Sequence, residues 1–282
     1  MRVAHWEQQE FVRQVRKHFP RFFEDKRVLE VGSGEIGGTI RPLFVGGEHL
    51  GVDVSPGPAV DKVCPGQDLD EPTASFDVVL SCECFEHNPF WVETLSNMLR
   101  MLKPGGLCIV SCALLGRTEH GTRRMDPDAS LAESLLYQDY YQNLTINDFE
   151  RRLDLKLHFS NYFLHENIYH KDLYFVGLKR GPSPVAEIEV VTALRNSVSK
   201  IKREWKLSFG DTLAARTKHV LTRFFVSLLG ERRLHDVKFK FRARSKALSI
   251  KLLGEQRYAE RSKRRRARGK QRKTVLQSSD SV

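Results

Sequence analysis

The chain has 282 residues, 40% of them hydrophobic, which is enough for one α/β domain with an appendage and too apolar for a chain that is disordered throughout. The net charge of +11 is unevenly spread: residues 1–180 carry 20 Lys+Arg against 26 Asp+Glu, a balance of −6, whereas 181–282 carry 26 against 9, a balance of +17. Such asymmetry marks a basic appendage that meets a polyanion or an anionic membrane, attached to an ordinary soluble domain. No secretory signal is expected, because Met1-Arg2-Val3-Ala4-His5-Trp6 leads into a charged helical pattern, and the apolar run Val220 to Leu229 is too short to span a bilayer. Five cysteines, lying mostly in apolar runs, suit a reducing compartment. The expected location is cytoplasmic, with peripheral membrane association through the appendage as an extension of that reading.

In chain order, residues 6–18 read as a helix, followed by a turn around Glu24-Asp25-Lys26. Arg27-Val28-Leu29-Glu30-Val31 reads as a strand that breaks into Gly32-Ser33-Gly34-Glu35-Ile36-Gly37-Gly38 and then a helix. Further strands are expected at 49–54, 61–64, 76–82 and Leu107–Leu115, with a helix at Trp91–Leu102 stopped by Lys103-Pro104-Gly105-Gly106. Strands alternating with helical patterns argue for parallel βαβ units. A helix over 146–153, opened by Thr145 or Asn147, precedes two apolar runs, Leu155–Leu164 and Asp172–Lys179, spaced like an antiparallel hairpin. Gly181-Pro182-Ser183-Pro184 then reads as a linker where the charge balance changes sign. Beyond it, Val191, Leu194, Val198, Ile201 and Trp205 form one helical stripe, and residues 212–229 form a second amphipathic helix. The last twenty-odd residues, with Lys263-Arg264-Arg265-Arg266, hold too few apolar groups to fold.

The glycine loop carries the chemistry. Gly32, Gly34 and Gly37 match G-x-G-x-x-G, where small residues let backbone approach a nucleotide-like ligand, a signal that nicotinamide and flavin proteins share. Glu30, two residues before the first glycine, suits a cationic amino-acid group better than a pyrophosphate. Asp53, at the end of the second strand, has two oxygens to accept from two ribose hydroxyls.

Val28-Leu29-Glu30-Val31-Gly32-Ser33-Gly34 resembles the first motif of the class I S-adenosylmethionine-dependent methyltransferases, close to their type 11-like branch. Asp53 matches their ribose-binding acid, Asp68-Leu69 before Ser75–Val79 resembles their adenine-edge segment, and Leu102–Gly106 resembles the turn before their fifth strand. The resemblance covers roughly residues 25–180. It implies a doubly wound, Rossmann-like α/β sheet of seven strands, mostly parallel with the last strand antiparallel. It also implies S-adenosyl-L-methionine as cofactor, held by Glu30, Gly32, Ser33, Gly34, Asp53, Asp68, Leu69 and Ser81. Within that set Glu30 holds the methionine ammonium, Gly32 and Gly34 line the methionine, and Asp68 with the Leu69 amide reads adenine.

Methyl transfer is an in-line displacement that needs a base only when the acceptor must lose a proton. Glu86 and His87, just after the fourth strand, are the catalytic candidates, with Glu119 and His120 as a second pair. Arg123 and Arg124 read either as a clamp for an anionic acceptor or as solvated charge. Asn88-Pro89-Phe90-Trp91 lacks the second proline of the amino-methylating nucleic-acid enzymes and starts too late after Ser81. Cys82, Cys84, Cys108 and Cys112 have spacings that place each pair on one strand face, and they read as small hydrophobes, so no metal site is expected. The combined reading is a methyltransferase domain at 1–180 and a basic, mainly helical extension at 181–282. The acceptor is a small molecule, a glycan or a lipid-linked group; RNA methylation and a non-catalytic cofactor-binding scaffold are the alternatives. The extension suits an anionic membrane surface or RNA, its apolar face packing back on the domain being the bland option, and the 191–205 stripe suits a homodimer.

Overall fold

The structure, a computed structural model, describes residues 6–34, 39–125, 137, 139–181, 191–192, 194, 196, 212–254 and 257. The chain divides into two compact units, Met1–Phe224 and Phe225–Val282. The first is built on seven strands in the order β3-β2-β1-β4-β5-β7-β6. These are β1 (Arg27–Val31), β2 (Glu48–Asp53), β3 (Lys62–Val63), β4 (Phe76–Cys82), β5 (Leu102–Ala113), β6 (Phe159–Asn167) and β7 (Asp172–Lys179). The first five strands pair in parallel, and β7 runs antiparallel to both β5 and β6. The seven-stranded, mostly parallel sheet with a terminal antiparallel hairpin is the architecture expected from the sequence.

The period of two along each strand sends neighbouring residues to opposite faces. Val28, Val78, Leu80, Leu107, Ile109 and Val176 point to one side, where Phe11, Val12 and Val15 of α1 (Trp6–His18) cover them. Leu29, Val31, Val79, Cys108, Val110 and Phe175 point to the other. There they meet Trp91, Leu95 and Met98 of α2 (Trp91–Met101) and Phe149 of α3 (Ile146–Arg152). Each such buried aliphatic or aromatic side chain contributes about 1.5–3 kcal/mol. Both faces being covered explains why β4 and β5 read as unbroken apolar runs rather than as alternating ones. Thr145 caps α3, its hydroxyl accepting from Asp148 N while the Asp148 carboxylate accepts from Thr145 N.

The structure departs from the sequence reading at several points. Leu155–His158 is a helical turn, α4, rather than strand, because the Asp154 carboxylate accepts from Leu157 N at 3.0 Å and starts a turn before β6. Among the described residues the segment after the glycine turn holds only a 3-10 turn, Arg41–Leu43, where a helix was expected, and Ile36, Gly37 and Gly38 lie outside them. Val191 and Leu194 are helical but buried in the α1-side core, so these two positions of the 191–205 stripe do not face a second subunit. The other three lie outside the described residues. Cys82 packs with the α1-side core and Cys84 with the α2-side core, not on one face, because the strand ends at Cys82 and Glu83 turns the chain with φ of 55°.

Two further helices are α5 (Thr212–Leu229) and α6 (Glu231–Leu253). The second was not expected from the sequence. No helix among the described residues is long and apolar enough to cross a membrane.

Candidate functional site

The polar residues singled out in the sequence gather at the C-terminal ends of β1, β2, β4 and β5, where an open parallel sheet leaves backbone free to meet a ligand. Gly32 stands there with φ of +85°, and a Cβ on it would lie 2.4 Å from Cys84 Cβ. Only glycine meets both demands. Gly32 N and Ser33 N donate to Val52 O at 2.8 and 3.2 Å, and Gly34 N donates to Asp53 Oδ2 at 3.0 Å. The glycine loop is thereby fastened to the end of β2. Asp53 Oδ1 accepts from Val54 N at 2.7 Å, and each oxygen retains lone-pair capacity for further donors. Burial pushes the Asp53 carboxyl up, against the stabilising amides of Gly34, Val54 and Ser55.

Glu30 is buried on β1, and one of its oxygens meets His49 Nε2 from β2 at 2.9 Å. The hydroxyl of Ser33 is buried with no hydrogen-bond partner among the described residues, and that of Ser81 is buried against the Cys84 thiol. A buried orphan hydroxyl beside a left-handed glycine fits a cradle for a polar, nucleoside-like molecule. Asp68 is exposed and Leu69 buried, at the end of the 3-10 turn Gly66–Asp68. Sequence reasoning missed what holds this segment. Asn97 Nδ2 on α2 donates to Gly66 O and Leu69 O, both at 2.9 Å, and Arg100 Nη1 donates to Glu71 O at 2.9 Å. The only signal was polar side chains at Thr94 and Asn97 on an otherwise apolar helix face. Asn88 is structural: its Oδ1 accepts from Phe90 N at 2.8 Å and its Nδ2 donates to Thr94 Oγ1 at 2.8 Å, shaping the start of α2.

The other half of the site follows β4 and β5. Glu83 occupies the left-handed region, a strained position for a residue with a Cβ. Its amide donates to Ser111 O at 2.8 Å, and its carboxylate lies 2.8 Å from Arg117 Nη1. Arg117 also pairs with Asp172, which accepts from Tyr174 OH at 2.9 Å. Neither carboxylate is more than 1% exposed, and this buried ion network was not anticipated from the sequence. Burial raises the Glu83 carboxyl while Arg117 opposes the shift.

The turn at Glu83 aims the 3-10 segment Phe85–His87 inward. Glu86 and His87 are 0% and 4% exposed. Burial, with Glu83 beside it, pushes the Glu86 carboxyl well up; burial, with His120 and Arg117, holds the His87 imidazole well below its ordinary value and therefore neutral. His120, read in the sequence as part of a separate pair, joins them: its ring stands edge-on to His87 at 5.0 Å, and Tyr141 lies 5.4 Å from His87 and 5.1 Å from His120. Glu119 turns elsewhere, accepting from Thr122 Oγ1 at 2.7 Å and Arg124 Nε at 2.6 Å. Arg123 is engaged by Asp139, Nε donating at 2.8 Å, so both arginines of the suggested anionic clamp hold intramolecular carboxylates. The five cysteines are free thiols.

A family profile described as "Methyltransferase domain" matches residues 3–161, more than half of the chain. No curated protein matches. Among solved structures, a Haemonchus contortus "Phospholethanolamine N-methyltransferase 2" crystallised with phosphomonomethylethanolamine and S-adenosylhomocysteine is 17% identical, with a TM-score of 0.46 over 64% of this chain and 54% of that one. The chain thus spans about half the length of that protein. A Burkholderia thailandensis 1,6-didemethyltoxoflavin-N1-methyltransferase is 18% identical, with a TM-score of 0.43 over 62% and 81%. A Haloferax volcanii methyltransferase in complex with the Trm112 activator is 16% identical, with a TM-score of 0.42 over 62% and 92%. By that profile, which spans β1 to β5, the chain belongs to the methyltransferase-domain family.

Proposed function

We propose that the chain transfers a methyl group from S-adenosylmethionine to a small-molecule, glycan or lipid-linked acceptor. Glu30, Gly32, Ser33, Gly34, Asp53, Asp68, Leu69 and Ser81 form the donor side, and Glu86 and His87 the acceptor side. The observation that carries the reading is the bond from Gly34 N to Asp53 Oδ2, which joins the glycine loop and the ribose-type acid into one cradle. The donor, when bound, supplies an electrophilic methyl group on a sulfonium. The protein's share is to hold acceptor and methyl in line and to exclude water. The depth of Glu86 and His87 favours a slender group on the acceptor over a broad macromolecular surface. Asp53→Ala removes two hydrogen bonds to a charged group, each worth roughly 1.5–3 kcal/mol. Calorimetry should therefore show affinity for S-adenosylhomocysteine falling at least about tenfold. Equal affinity in variant and wild type rejects the donor-side assignment.

The exposed side of α5 supports a lipid-linked acceptor. Val220, Leu221 and Phe224 are 64%, 49% and 54% exposed, whereas His219 and Thr222 are buried. Apolar groups beside Arg216, Lys218 and Arg223 suit the headgroup boundary of an anionic bilayer, where each basic group adds about 1 kcal/mol. The RNA alternative draws on α6, which carries eight Lys/Arg against two acidic residues. The full chain should sediment with anionic vesicles at low and at moderate salt, and a Val220→Asp, Leu221→Asp double variant should lose the salt-resistant part. Gel shifts with RNA in place of vesicle binding move the acceptor class to RNA.

A further inference from the structure

We propose that Glu86, His87 and His120 form a site for one divalent cation of the manganese-to-zinc series, placed to hold an oxygen atom of the methyl acceptor. One ligand atom from each residue can be chosen so that all three lie within 4.8 Å of one another. Two donors on one ion at about 2.1 Å each lie at most about 4.2 Å apart, so small side-chain rotations close the set. They come from two places in the fold, Glu86 and His87 from the turn after β4 and His120 from the loop after β5.

Independent observations point to a ligand there. Both ring nitrogens of His87 are buried with no hydrogen-bond partner among the described residues, and the Glu86 carboxyl beside them, 0% exposed, is met only by the Glu83 carboxyl and the backbone amides of Glu86 and Ala113. Leaving the donor and the acceptor nitrogen of a buried imidazole both unmatched is costly unless something else meets them. The tautomer of His120 is set from outside the cluster: its Nδ1 lies 3.0 Å from Thr118 O, and a carbonyl only accepts, so Nδ1 carries the proton and Nε2 the lone pair. This is the arrangement by which an outer carbonyl orients a metal-binding imidazole. The charge count agrees, since one buried guanidinium, Arg117, faces the three buried carboxyls of Glu83, Glu86 and Asp172. Two of these are already paired with it, and Glu86, hydrogen-bonded to Glu83, is in no ion pair among the described residues.

Two imidazoles and a carboxylate select the manganese-to-zinc series over magnesium and calcium, which prefer all-oxygen sets. Three protein ligands leave coordination positions open. An acceptor hydroxyl taking one of them passes its proton to water. Its oxygen pair then forms the bond to the methyl carbon, while the carbon–sulfur pair stays on sulfur. That step rests on the methyl-transfer reading above; the cation site itself does not.

The test uses the full chain after chelator treatment. It is titrated with Mn²⁺, with the free ion followed by its spin-resonance signal, and with Zn²⁺ by calorimetry. Wild type is expected to take one ion, with imidazole nitrogen coupling on the bound Mn²⁺. Glu86→Gln and His120→Asn are each expected to weaken binding at least about tenfold, while His158→Asn on α4 leaves it unchanged. S-adenosylhomocysteine affinity, measured on the same samples, should stay constant across the variants, which reports that they are folded. No ion on wild type, or equal binding by Glu86→Gln and His120→Asn, overturns the site. Failure of wild type to bind S-adenosylhomocysteine overturns the methyl-transfer reading instead.

Discussion

Arg117→Ala is expected to lose about 3–5 kcal/mol of stability, a large share of the roughly 5–15 kcal/mol that holds a domain folded. The guanidinium lies between Glu83 and Asp172, each with a side chain 1% exposed, and its removal leaves two buried carboxyls without a counter-charge. Arg117→Met, which keeps most of the volume, should fare nearly as badly, because the loss is one of charge compensation rather than of packing. The exposed pair of Arg13 with Glu10 is the control: Arg13→Ala should stay within about 0.5 kcal/mol. Urea unfolding of the three variants checks the ranking. The pH dependence has a definite sign. Arg117 opposes the burial that raises the Glu83 carboxyl, so without it the folded value rises further. A carboxyl raised on folding favours the folded state in acid and loses that advantage as pH climbs through its folded value. The deficit of Arg117→Ala should therefore be smallest below about pH 4 and widen toward neutrality. A deficit that grows in acid would contradict the assignment of Arg117 as the counter-charge.

The sheet was legible because β1, β4, β5 and β7 are each marked by a clear local signal. β1 ends in a glycine turn, β4 and β5 are apolar on both faces, and β7 repeats that pattern, so strand limits at 27–31, 76–82 and 172–179 coincide with the expected ones. Leu155–His158 was misread because Leu155 and Leu157 alternate like a strand, and the capping of that turn by Asp154 is a three-residue effect that alternation hides. α6 was missed because its exposed apolar residues Val237, Phe239, Phe241 and Leu248 do not form one stripe. The donor side is a local signal, since Glu30 to Gly34 is continuous in sequence and Asp53 follows at a characteristic distance. The acceptor side is not. Glu86 and His120 are brought together only because β4 and β5 pair in parallel, with Leu80 opposite Ile109 and Cys82 opposite Ser111. Nothing in the sequence distinguishes His120, which turns inward, from Glu119, which is held by Thr122 and Arg124.

His87→Ala should lower turnover about 10²-fold or more, equivalent to about 2.7 kcal/mol of lost transition-state stabilisation, while affinity for S-adenosylhomocysteine stays unchanged. The separation follows from position. The proposed donor cradle draws on β1, β2 and the Gly66–Asp68 turn, whereas His87 lies beyond β4 with His120 and Tyr141 around its ring. A neutral, buried imidazole there has two uses, as base for the acceptor proton or as one ligand in the cation site, and both place its loss on turnover rather than on donor binding. Saturating Mn²⁺ divides them. A ligand role predicts partial recovery of the variant as the ion is driven onto Glu86 and His120, whereas a base role leaves the loss intact at any ion concentration. Production of S-adenosylhomocysteine with a hydroxyl acceptor selected on wild type is the readout. His158→Ala, far from the site, supplies the reference for a substitution without consequence. Equal turnover in His87→Ala and wild type would make the residue a spectator, and the burial of its two unpartnered nitrogens would then need another cause.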